Sequence, residues 1–170
     1  SPSRAQARQG ELAALVEAAR AAGAEAQALM AEGQGALDDV ADHPAVRSAL
    51  QKAEAASADA QVNAELAADS FAGVADSDDL LALDAAAAEL DYAARGAEAS
   101  LQESREHLEV AAIQAQAERA RRADAALAAE LDTVRSEVFA VISRIDEVPS
   151  DPPVVTAEDR AADPELDDAV

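Results

Sequence analysis

Residues 110–148 read VAAIQAQAERARRADAALAAELDTVRSEVFAVISRIDEV, and their spacing decides the fold. One position of a seven-residue repeat is held by Val110, Ala117, Asp124, Leu131, Val138 and Ile145. A second position, three residues on, is held by Ile113, Ala120, Leu127, Val134, Val141 and Val148. With about 3.6 residues per helical turn, alternating steps of three and four put both sets on one face. Sustained over successive heptads, that face is the seam of a coiled coil. Its side chains grow larger towards the C-terminal end, so the grip should tighten there. Asp124 is the charged intruder, either fixing register or simply facing solvent.

Upstream, the same helix extends back to about residue 78, with a seam at Leu80, Leu83, Ala87, Leu90, Ala94, Ala97, Leu101 and Leu108. The phase slips between Leu108 and Ile113, and Gly96 is a possible weak point. Two further helices precede it. The first, over 11–40, places Leu12, Val16, Ala19, Gly23, Ala26, Met30, Gly33, Leu37 and Val40 at unbroken four-three spacing. Gly23 and Gly33 weaken the helix by about 1 kcal/mol each relative to alanine, but let a neighbouring backbone come close. The second, over 44–74, places Val46, Leu50, Ala53, Ser57, Ala60, Ala64, Ala67, Phe71 and Val74 likewise. Asp42-His43-Pro44 separates the two: proline suits a first helical turn, with Asp42 or His43 near the cap. Gly73 and the acidic run 76–79 mark the second break, where Ser77 or Asp76 is the candidate cap. Two alanine-centred seams joined by a short turn predict an antiparallel hairpin.

Composition agrees. Half the residues count as hydrophobic, but the aromatics are only Phe71, Tyr92 and Phe139. Alanine forms helices at almost no side-chain entropy cost, yet buries little apolar area. Long helices in close contact therefore suit this chain better than a thick core. Valine, isoleucine, threonine and aromatics never cluster with the period of a strand.

The charge narrows the partners. Thirty-five acidic against thirteen basic side chains give a formal charge of -22. A phosphate backbone needs a basic face, so nucleic acid is excluded, and direct binding to an anionic membrane is disfavoured. Arginine outnumbers lysine, whose single example is Lys52, which points to a GC-rich bacterial genome. The chain opens Ser1-Pro2 without Met, so a removed anchor or signal is allowed, and the cell envelope is the favoured compartment.

No chemistry announces itself, and the expectation is no catalytic, cofactor-binding or metal site. His107 has Glu103 one turn before it, but a di-iron carboxylate bundle needs Glu-x-x-His on two helices, and Ser104 stands where that Glu would. His43, beside Pro44, reads as a turn residue. Asp38-Asp39 and Asp78-Asp79 lack calcium-loop spacing. There is no P-loop, no glycine-rich dinucleotide fingerprint, no nucleophile elbow and no cysteine. A basic island at Arg119, Arg121 and Arg122 reads as a solvated face with a Glu118–Arg122 pair, or as a docking point for an acidic segment such as the chain's own tail.

The sequence therefore predicts an all-α protein: an elongated antiparallel helical hairpin or bundle with a long coiled-coil helix. Its divisions are a flexible N-terminus (1–10), an alanine-rich bundle (11–109, with helices about 11–40, 44–74 and 78–109), a continuing coiled coil (110–148) and a disordered acidic tail (149–170). The tail carries four of the six prolines and seven acids against Arg160 alone. The third helix either projects as a stalk or folds back to make a four-helix bundle. The expected function is structural or scaffolding, through self-association (a dimer) or a helical protein partner. The self-association seam is Val110, Ile113, Leu127, Leu131, Val134, Val138, Val141, Ile145 and Val148. Coating of a neutral lipid or polymer surface is the alternative. Seams and composition resemble the alanine-rich coiled-coil segments of many bacterial envelope and cytoskeletal proteins, a likeness that covers most of the chain and carries over no functional residue.

Overall fold

In a computed structural model, which describes residues 3–148 and 157–158, the chain divides into two compact units, 1–122 and 123–170. Among the described residues the fold is built on α1 (Arg4–Ala36), α2 (Pro44–Ala72) and α3 (Leu80–Glu147), with a 3-10 turn at Asp38–Val40. No strand occurs among the described residues. The expected disordered tail, 149–170, lies outside them but for Ala157 and Glu158, which are helical and exposed.

Each helix boundary has a local cause. α1 starts at Arg4, so residues 4–10 of the segment expected to be flexible, 1–10, are helical. Ser3 Oγ accepts the Gln6 backbone N–H at 3.2 Å, and the Gln6 side chain accepts the Ser3 N–H at 3.0 Å. This reciprocal cap satisfies two donors that a helix start otherwise leaves open. α1 closes with the Leu37 N–H donating to Gly33 O at 3.0 Å. Pro44 opens α2 with its ring nitrogen where no hydrogen bond is needed. His43 holds the N-cap position but makes no capping bond through its side chain. The α3 cap is Asp79 and not the expected Ser77 or Asp76: its Oδ1 accepts the Leu81 N–H at 3.0 Å, while Ser77 Oγ accepts the Asp79 N–H. α3 then runs unbroken through Gly96 to Glu147.

In the first unit the three helices form an up-down-up bundle. α2 runs against α1: Gly23 lies beside Ala60, Gln61 and Ala64. It also runs against α3, with Ser104 Oγ donating to Ala53 O at 3.1 Å and Ser70 Oγ donating to Glu89 at 3.2 Å. α1 and α3 are parallel, joined by Arg8–Asp84 at 3.0 Å near one end and Arg105–Glu25 further along. All but one of the expected α1 seam residues are buried, and Gly33 is half-buried. In α2, Val46, Ala53, Ser57, Ala60, Ala64 and Ala67 are buried, and Leu50, Phe71 and Val74 partly so.

Each helix also buries small residues flanking its seam: Ala22 in α1, Ala49 and Ala56 in α2, Ala86 and Ala93 in α3. A helix between two neighbours needs a wider apolar face than a two-stranded seam provides. Alanine at these flanks keeps the helices close. Glycine does the same at three points: a Cβ on Gly33 would lie 2.6 Å from Leu108 Cδ2, one on Gly23 3.2 Å from Ala64 Cβ, and one on Gly96 3.0 Å from the Asn63 amide.

Candidate functional site

In the second unit, residues 123–147 belong to α3 and all are exposed. Their heptad residues show a uniform half-exposure: Leu127 56%, Leu131 54%, Val134 52%, Val138 51% and Val141 51%, with Ile145 and Val148 somewhat higher. This is the exposure of large side chains on one stripe of a helix, packed only along the helix itself. Phe139 and Ile142, which heptad counting leaves out, are also exposed. At about 100° per residue, Ile142 falls at the edge of the stripe and widens the apolar face towards Ile145, whereas Phe139 lies about 125° from the stripe's centre.

Val110 and Ile113 belong to the first unit and are exposed. Burial along α3 explains why the sequence seemed to slip phase there. No slip occurs. The bundle face continues at four-three spacing through Ala97, Leu101, Ser104, Leu108, Ala111, Ala115 and Glu118, all buried except the half-buried Leu108. Val110, Ile113, Ala117 and Ala120 begin a second stripe on the opposite side, about 160° away at 3.6 residues per turn. α3 therefore carries two overlapping heptads. The first fades from view at Ser104 and after Leu108, because serine, alanine and glutamate continue it. The division expected at 109/110 falls instead at 122/123, where packing against α1 and α2 ends.

The basic island has a defined task in the first unit. Arg119 donates to Asp39 (2.6 and 2.9 Å) and to Ala36 O (2.8 Å). Arg122 donates to Asp42 (2.8 Å), to Asp39 O (2.9 Å) and to Glu118 (2.9 Å). Arg121 grips Glu118 through two bonds of 2.7 and 2.8 Å. Arg119 and Arg122 fasten the α1–α2 connection to α3, so the expectation of a merely solvated face is corrected. The Glu118–Arg122 pair is present as expected. Glu118 is buried, with His43 Nε2 3.6 Å from its carboxylate. Hydrogen bonds from Arg121 and Arg122 pull its pKa down to about 2 against the opposing effect of burial. Arg119 and Arg122 lower Asp39 and Asp42 in the same way. A carboxylate held ionised by two guanidinium groups is unsuited to proton transfer near neutrality. The cluster is an anchor.

His107, half-buried, lies 3.6 Å from Glu103. Among the described residues no group of three or more His, Asp or Glu side chains is placed to hold a metal ion, and no helix is long and apolar enough to cross a membrane. A shallow apolar groove of about 420 Å³ lies between α2 and α3, lined by Leu66, Ser70, Ala88, Glu89, Tyr92 and Ala93. Within it Ser70 Oγ donates to the Glu89 carboxylate at 3.2 Å. No family model, curated protein or solved structure matches the chain.

Proposed function

We propose that this chain is a non-enzymatic structural or scaffolding protein that works by helix–helix self-association through its second unit. The observation that carries this reading is the half-exposed heptad stripe Leu127, Leu131, Val134, Val138, Val141 and Ile145. Equivalent stripes on α1 and α2 are buried by neighbouring helices; this one needs the same cover from another chain. A second copy is the simplest source, because a symmetric pair satisfies both stripes at once. Val110 and Ile113 are a secondary contact on the first unit.

The test is the mass in solution, by light scattering on a sizing column across a wide concentration range. The wild-type chain should run as an oligomer that dissociates on dilution. Val138→Asp, which places a charge in the middle of the stripe, should weaken association at least tenfold, since a buried unpaired carboxylate costs at least about 2 kcal/mol. A wild-type monomer at every concentration would sink the proposal. Adsorption on a neutral lipid or polymer surface predicts that monomer, with helicity rising only when the surface is added.

A further inference from the structure

We infer that residues 127–148 pair with the same residues of a second copy in parallel and in register. The inference rests on the self-association reading and adds the direction of the pairing, which charge placement decides. The stripe is flanked on one side by Glu130, Glu137 and Arg144 and on the other by Arg135 and Ile142. Such flanking positions face one another across a coiled coil, and their charges select orientation.

In a parallel, in-register pair, each flanking residue meets the one five positions further along the other chain. Glu130 then faces Arg135 of the second copy, and the contact occurs twice by symmetry. Glu137 meets Ile142, so no like charges oppose each other along this flank. An antiparallel pair that covers the whole stripe has its centre at residue 136. It sets Glu137 against Glu137 and Arg135 against Arg135 at the middle of the interface, and these two like-charge contacts offset the two Glu130–Arg144 contacts that the same arrangement forms towards its ends. Sliding that pair by one heptad brings Glu137 to Arg144 but strips Leu127 of its cover.

One residue works the other way. Asp124 meets Asp124 in the parallel arrangement, so pairing begins at Leu127, the first large residue of the stripe. The valines at 134, 141 and 148 occupy positions where leucine favours two strands, and β-branched residues make room for a third copy. Neighbouring chains stay parallel and in register for either number.

The chain has no cysteine, so single-cysteine variants of the full chain report directly on direction. Leu127→Cys and Ile145→Cys place thiols near the two ends of the stripe, about 27 Å apart along the helix. Under oxidising conditions each variant alone should form a covalent dimer with itself in high yield. Leu131→Cys gives the same readout if an end variant loses helicity. Light scattering on the reduced variants reports association independently. Variants that associate but do not link to themselves overturn the parallel arrangement and leave self-association standing. Monomers at every concentration overturn both.

Discussion

At the residue scale, small side chains matter here for what they let approach. Gly33 receives Leu108, and Gly10 has nothing within 4 Å of where a Cβ would sit. Both lie inside α1, where glycine costs about 1 kcal/mol relative to alanine. Gly10→Ala should therefore stabilise the chain by about 1 kcal/mol, read as a higher denaturant midpoint. Gly33→Ala should lose that gain, because Leu108 must leave its position to make room. Equal stabilisation by both would show that the close approach at Gly33 carries no energetic weight. Ser104 is the polar counterpart: its hydroxyl is wholly buried, and the bond to Ala53 O satisfies it.

At the element scale, the connection between α1 and α2 is held by apolar contact and by charge together. Behind it Leu37, Val40, Val46, Ala49, Ala111 and Ala115 form only a small cluster, and Arg119 and Arg122 close it over from α3. Glu118 sets the pH dependence. Its pKa is lowered from 4.5 to about 2, so its ionised form favours the folded state. That contribution is complete above about pH 4.5 and disappears as pH falls through about 2. Asp39 and Asp42 act with the same sign. Glu118→Gln should melt at a lower temperature than wild type at pH 7, and the difference should shrink between pH 4.5 and 2. A difference independent of pH would mean that Glu118 acts through packing alone. α3 is the element that joins two kinds of surface, an alanine face closed by neighbours and a larger-residue stripe left open.

At the scale of the whole molecule, net charge opposes association. Each copy carries a formal charge of -22, and residues 123–148 contribute six acids against Arg135 and Arg144. Bringing two such chains together raises their mutual repulsion, which salt screens over a Debye length of about 30 Å at 0.01 M and about 10 Å at 0.1 M. Raising the salt across that range should tighten self-association, measured as a lower midpoint concentration in light scattering. Weaker association would mean that local pairs such as Glu130 with Arg135 outweigh the net charge.

The sequence by itself determined the all-helical class, the three helices, both breaks and the face by which α1 and α2 pack. These follow from four-three spacing, Pro44 and the acidic run before Leu80, all of them local in the chain. It also placed the stripe from Leu127 to Val148, because large side chains there leave one reading of the period. Three things waited for the tertiary structure: the start of α1 at its Ser3–Gln6 cap, the continuation of the bundle face through Ser104 and Glu118, and the grip of the arginines on Asp39 and Asp42. Alanine, serine and glutamate carry too little hydrophobic contrast to show which side of a helix is buried. The arginine contacts join residues some eighty positions apart, and no local pattern records which distant carboxylate the bundle brings within reach.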